Sequence, residues 1–176
     1  EDRFGNKLSV LGFGCMRFPR GLSGRIDYDR TEKLILRAYE AGVNYYDTAY
    51  LYLGSEEILG EVLQRNGLRD KVNIATKLPF ARAKKYEDLD KLLNTQLEHL
   101  KTDYIDYYLI HNLGKPEQWQ NLVSLGIERW IEERKASGQI KQLGFSFHGT
   151  QGDFLDLLDM YPWDFCQIQL NYMNES

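Results

Sequence analysis

Asp47, Tyr52, Lys77 and His111 are four side chains that can hold or move a proton. They sit at or just past the ends of three apolar runs, Val43–Asp47, Val72–Lys77 and Tyr104–Ile110. A carboxylate, a phenol, an amine and an imidazole are the parts of an acid–base site, and segments that release them after successive strands would gather them on one face of a parallel α/β barrel. Each has an ordinary structural explanation when taken alone. Tyr52 is one of twelve tyrosines, and a half-buried aromatic near a strand end is common. Lys77 could be a solvated charge before the Leu78-Pro79 turn, Asp47 a loop or cap acceptor, and His111 a satisfied structural histidine. Their joint order is what points to an enzyme.

The elements that would position these groups recur along the chain. Leu8–Gly14 is a short apolar run closed by glycines, and Asp29–Ala41 places Leu34, Ile35, Ala38 and Ala41 at helical spacing before Gly42. Val43–Asp47 is strand-like. It precedes Ser55–Leu63, where Ser55 reads as an N-cap, acids fill the first turn, and Ile58, Leu59, Val62 and Leu63 form an apolar face. Lys71–Lys77 pairs with a Tyr86–Leu100 helix whose buried stripe takes in Leu89, Leu92, Leu93, Gln96, Leu97 and Leu100. His99 lies off that stripe and reads as structural or surface.

Tyr104–Ile110 is the fourth strand, followed by helical sequence running through Trp119, Ile127 and Trp130 to a stop at Ser137-Gly138. Ile140–Phe147 and Asp153–Met160 form a fifth pair, and Phe165–Leu170 a sixth strand. Strand–helix alternation implies right-handed crossovers and a parallel sheet, either open or closed into a barrel. An open dinucleotide-binding sheet carries G-x-G-x-x-G between its first strand and helix. Here Gly12-Phe-Gly14 leads into a long loop through Pro19, Gly21 and Gly24, so these glycines read as a tight strand end.

Composition narrows the class. With 176 residues, 43% hydrophobic and 27% charged, the chain reads as an ordinary globular domain. A net charge of -4 gives no electrostatic case for nucleic acid or an acidic membrane, and Lys84-Lys85 and Arg134-Lys135 read as solvated positions. No run approaches the ~20 apolar residues of a membrane span and no charged-then-apolar leader opens the chain, so the expected location is cytoplasmic. Cys15 and Cys166 lie far apart without C-x-x-C spacing. They supply no ligand set for zinc or an iron–sulfur cluster, and both read as small buried side chains.

The residues also carry a family resemblance. Val43-Asn-Tyr-Tyr-Asp-Thr-Ala-Tyr-Leu-Tyr52, with Gly54-Ser-Glu56 and Leu59-Gly60 after it, resembles the aldo-keto reductase pattern of an Asp-Thr-Ala segment with a tyrosine five residues past the aspartate. Ala75-Thr-Lys77, Asp103–His111 and Gly138–Ser146 match the next family segments in order. Leu11–Arg17, Gly144–His148 and Phe165–Gln169 are similar to a bacterial and archaeal branch whose full-length members often carry a C-terminal ferredoxin-like cysteine cluster. No such cluster is present here, so an iron–sulfur centre would belong only to a part beyond Ser176.

The fold the resemblance implies is a (β/α)8 TIM barrel, of which about six strands are accounted for. Such barrels run to about 250 residues. Residues 1–176 are therefore read as a partial barrel domain, strands one to six, with its run Asn171–Ser176 cut just past a strand.

The activity implied is NAD(P)H-dependent reduction of an aldehyde or ketone, on a small-molecule carbonyl substrate and without a metal. Tyr52 would be the proton donor. An unperturbed phenol has a pKa of about 10, so Lys77 would supply the charge that makes proton exchange accessible, and Asp47 would hold Lys77. His111 would hydrogen-bond and align the substrate oxygen as a neutral ring. Ser146 and Gln167 match positions that bind the nicotinamide carboxamide, while Cys15, Met16 and Arg17 lie where the first loop approaches the nicotinamide ribose. The asparagine usual after Ser146 is replaced by Phe147, with His148 next. NADPH is the cofactor that family habit implies, with NADH as the alternative. A non-catalytic nucleotide-sensing or interaction domain on the same scaffold is the competing reading. Substrate identity and oligomeric state are left open.

Overall fold

The computed structural model describes residues 1–2 and 4–170. Six strands lie parallel in sequence order: β1 (Phe13–Gly14), β2 (Tyr45–Asp47), β3 (Asn73–Leu78), β4 (Ile105–Ile110), β5 (Ile140–Phe147) and β6 (Phe165–Ile168). Between them run α1 (Tyr28–Glu40), α2 (Ser55–Arg65), α3 (Tyr86–Leu100), the pair α4 (Pro116–Leu125) and α5 (Ile127–Ala136), and α6 (Gln151–Met160). Among the described residues these are five strand–helix units and a sixth strand of a β/α barrel, the class that the alternation predicts. All strands point the same way, so their C-terminal ends form one face.

Local sequence explains the elements. Asp27 caps α1 by accepting the Arg30 N–H, and Thr150 caps α6 by accepting the Asp153 N–H. The α3 stripe from Leu89 to Leu100 is buried as its spacing predicts. β4 is buried at all six positions, as a parallel strand covered on both faces must be. The main core lies between sheet and helices, where Trp119 and Trp130 are fully buried, and Trp119, Tyr161, Trp163 and Phe145 make tilted or edge-on ring contacts. A smaller cluster of Ala75, Tyr107 and Leu109 gathers Leu8, Tyr45 and Phe165 against it.

Several expectations need correction. Only Phe13–Gly14 of the Leu8–Gly14 run pairs as a strand, and Val10 and Leu11 are exposed. Earlier in that run side chains replace the ladder: Ser9 N–H donates to Asn44 Oδ1 at 2.8 Å and Asn44 N–H to Ser9 Oγ at 3.0 Å. On α1 the buried residues are Thr31 and Ile35, whereas Leu34 and Ala41 face solvent. Ser55 is the first residue of α2 and not its cap; Gly54 occupies the cap with φ 77°.

The helical sequence running through Trp119, Ile127 and Trp130 forms two helices, divided at Gly126. Its φ of 94° suits glycine, and a Cβ there would sit 3.1 Å from the Tyr86 ring. Arg134 and Lys135 are not simply solvated, since Lys135 pairs with Asp164 at 2.5 Å and Arg134 bonds Gln139 at 3.0 Å. Cys15 is buried as expected, but Cys166 is exposed. β6 ends at Ile168 and not Leu170, and the run 171–176 lies outside the described residues. Among the described residues no helix is long and apolar enough to cross a membrane, and no group of three His, Cys, Asp or Glu could hold a metal ion.

Candidate active site

Asp47 ends β2 opposite Ala75 of the adjacent β3, and Lys77, two residues further along β3, shares the strand-end face with it. Lys77 is almost wholly buried. Its Nζ donates to both Asp47 carboxylate oxygens and to the Thr48 carbonyl, each at 2.7 Å. An ammonium has three N–H donors, and here all three are taken. Burial pulls the Lys77 pKa down and the Asp47 ion pair opposes it; the saturated acceptor shell is that of a charged lysine.

Tyr52 follows β2 in a tight turn, with its N–H on the Ala49 carbonyl at 2.9 Å and its own carbonyl accepting the Ser55 N–H at 2.8 Å. Lys77 Nζ stands 5.0 Å from the Tyr52 ring centroid. Burial, followed by the Asp47 charge and then Cys15, pushes the Tyr52 phenol above its ordinary value. Burial is the largest of these causes, so the phenol is raised even with the Lys77 ammonium nearby. The proton stays on Tyr52 at neutral pH.

His111 comes directly after β4. Its N–H bonds the Leu78 carbonyl at 3.1 Å, and its ring meets Tyr52 edge-on with centroids 5.8 Å apart. Asn112 then turns through φ 55°, a left-handed value that asparagine tolerates. This turn lets the Asn112 N–H reach Ser146 Oγ at 2.8 Å and the Leu113 N–H reach the Ser146 carbonyl at 2.9 Å. Burial, then Lys77 and His148, lower the His111 pKa to about 4, so the ring is neutral at pH 7. Among the described residues its buried Nδ1 has no hydrogen-bond partner.

Tyr52, Lys77, His111, Ser146 and Gln167 line one cavity of about 230 Å³. Asp47 lies behind Lys77. The other two expected residues are elsewhere: Cys15 is wholly buried, with its N–H on the Asp47 carbonyl and its carbonyl accepting Ser55 Oγ–H, while Met16 is exposed and is not among the lining residues.

A family profile described as the Aldo/keto reductase family matches residues 10–176. The chain belongs to the aldo/keto reductase family. Similar proteins include a D-galacturonate reductase from Fragaria ananassa, 37% identical over 156 residues, which covers 79% of this chain and 47% of that protein. A 6-dehydroglucose reductase from Novosphingobium aromaticivorans is 31% identical over 160 residues, covering 81% of this chain and 48% of that one. The chain thus spans about half the length of the curated relatives it matches.

Two solved structures agree with the fold. An aldo-keto reductase from Bacillus halodurans in its holo form superposes with a TM-score of 0.73 at 26% identity, over 93% of this chain and 54% of that one. One from Klebsiella pneumoniae in complex with NADPH gives 0.70 at 26%, over 94% and 55%.

Behind the tetrad, this aldo/keto reductase chain holds a buried polar network that strand-end reasoning misses. Gln96 of α3 donates to the Lys77 carbonyl at 3.1 Å and to Glu56 Oε1 at 2.7 Å, and accepts the Tyr108 hydroxyl at 2.6 Å. Glu56 also accepts from Thr76, and its second oxygen faces His99 Nδ1 at 3.3 Å. Burial raises the Glu56 pKa. The signal was present: Gln96 interrupts an apolar stripe, and a polar group on a buried face requires partners. Ser55 Oγ joins Thr48 Oγ1 at 2.8 Å and the Cys15 carbonyl at 2.9 Å, tying the loops after β1 and β2 together. Gly60 lets α2 press on α3, where an added Cβ would meet the His99 carbonyl and stand 2.6 Å from Leu100 Cα.

Proposed function

We propose that the whole protein is an NAD(P)H-dependent oxidoreductase that reduces an aldehyde or ketone to an alcohol, with Tyr52 as the proton donor. The observation that carries this reading is the meeting of Tyr52, Lys77 and a neutral His111 on one 230 Å³ cavity at the strand ends, with Lys77 fixed by Asp47. NADPH is the favoured cofactor and NADH the alternative, since one of the similar solved structures is a complex with NADPH.

The residues fit the nicotinamide end of such a cofactor. Ser146 accepts the Asn112 N–H and so retains its own O–H to donate, and Gln167 offers an amide in the same cavity, a donor–acceptor set suited to a carboxamide. Met16 is exposed on the loop after β1 and available to the ribose; Cys15 contributes by holding that loop in place. When bound, the nicotinamide supplies the hydride.

The chain's own residues do the rest. His111 Nε2–H and the Tyr52 hydroxyl both donate to the carbonyl oxygen and polarise it. As the carbon gains its new C–H bond, the C=O π pair moves onto oxygen, and this alkoxide takes the Tyr52 proton. A raised phenol pKa is compatible with this step, because an alkoxide is far more basic than a phenolate. The phenolate left behind is stabilised by the Lys77 ammonium and regains its proton from water. A panel of aldehydes and ketones, assayed by cofactor absorbance with NADPH and with NADH, tests the reading on the whole protein. Turnover supports it. Cofactor binding with no turnover across the panel would instead support a nucleotide-sensing scaffold.

A further inference from the structure

His148 is the site's unassigned imidazole. Along β5, Phe145 and Phe147 turn toward the helix layer and pack on Phe154. Ser146 and, two residues on, His148 face the strand-end cavity, as a two-residue period requires. Phe147 is therefore carried away from the cavity, and His148 is the next side chain presented to it.

His148 lines two cavities at once. One is the 230 Å³ cavity holding Tyr52 and His111; the other, of about 420 Å³, is walled by Phe147, Phe154 and Ile168. Gln169 and Ile168 are also common to both. Among the described residues neither cavity is lined by Asp or Glu. Asp47 is behind Lys77, and Asp153 in the first turn of α6 is engaged by the Thr150 hydroxyl at 2.6 Å.

The backbone that carries His148 is closely packed. A Cβ on Gly149 would stand 3.0 Å from the Gly114 carbonyl and 2.6 Å from the Phe147 ring, so the two glycines let the loops after β4 and β5 close on each other beside His148.

We propose that His148, with the Gln169 amide, forms an anion subsite that takes the carboxylate of an oxo-acid substrate, whose apolar part lies along Phe147, Phe154 and Ile168. The carbonyl then enters the smaller cavity toward Tyr52 and His111. That placement rests on the reductase reading, but the carboxylate contact does not. Preference for an anion follows from the His148 imidazole and Gln169 amide as hydrogen-bond donors, and preference for an apolar group beside them follows from the aromatic wall.

Benzoylformate and its methyl ester share a ketone and a phenyl ring and differ in the charge. Equilibrium titration of both into the whole protein with oxidised cofactor present reads binding without turnover. Wild type is expected to bind benzoylformate more tightly than the ester. His148→Ala is expected to weaken benzoylformate by roughly 10- to 100-fold, the worth of a charge-assisted hydrogen bond, and to leave the ester and NADPH unchanged; Gln169→Ala should weaken benzoylformate by less. His148 is exposed in a loop, so its variant should fold.

Equal weakening of acid and ester, no weakening, or loss of NADPH affinity by the same factor would overturn the proposal, the last by assigning the imidazole to the cofactor. Absence of benzoylformate binding by wild type would overturn it as well. If the acid binds in the expected way but no carbonyl is ever turned over, the reductase reading fails and the anion subsite stands.

Discussion

Replacing Lys77 with Met probes how the site tolerates a phenolate. The ammonium lies 5.0 Å from the Tyr52 ring centroid. At that range two unit charges interact by about 3 kcal/mol at an effective dielectric near 20. At 1.36 kcal/mol per tenfold in rate, losing this term slows the chemical step by roughly 100-fold. The Asp47 carboxylate, which bonds Lys77 through both oxygens, would then face the phenolate uncompensated, so the single variant should fall below that figure. Asp47→Asn combined with Lys77→Met removes both charges and should recover part of the loss, a non-additivity characteristic of touching residues. Single-turnover hydride transfer followed by cofactor absorbance measures the chemical step, and far-UV circular dichroism confirms folding. A Lys77→Met rate within about threefold of wild type, against the 100-fold worked above, or a double variant slower than the single, would refute the electrostatic reasoning.

Other perturbations have defined expectations. Gln96→Leu strips partners from Glu56, Tyr108 and the Lys77 carbonyl, and should lower stability by about 3 kcal/mol in urea unfolding; an unchanged midpoint would show that the network is not stabilising. Gly60→Ala forces α2 off Leu100 and should cost roughly 1–3 kcal/mol by thermal unfolding, which a wild-type melting temperature would contradict. The folded-state pKa of His111, about 4, is below its ordinary 6.5. On acidification the unfolded chain therefore binds the proton first, and stability is lost as pH falls from about 6.5 toward 4. His111→Gln should flatten that segment of the stability profile, and an identical slope in the variant would count against the burial of a neutral ring.

The strands that carry the chemistry were the most legible part of the sequence. β3, β4 and β5 are long apolar runs, and their pairing brings Lys77, His111 and Ser146 to one face, with Tyr52 arriving on the turn after β2. Local pattern failed where tertiary contacts choose among alternatives. Leu8–Leu11 has strand composition, yet the reciprocal Ser9–Asn44 bonds take the place of the ladder. Leu34 and Ala41 have helical spacing, but α1 docks through Thr31 and Ile35. Ser55 has the composition of a cap and serves instead as a tie between Thr48 and Cys15. The direction of the Tyr52 shift was not legible either, because its largest cause is burial, which the tertiary packing sets and the residue types do not.

Tyr52→Phe tests the central claim most directly, because it removes one oxygen and leaves the ring beside Lys77 and His111. In the whole protein, NADPH affinity should be unchanged by fluorescence titration, while carbonyl reduction falls by about 100-fold or more, the usual contribution of a positioned acid. Reduction at a near-normal rate in that variant would show that the proton comes from another group.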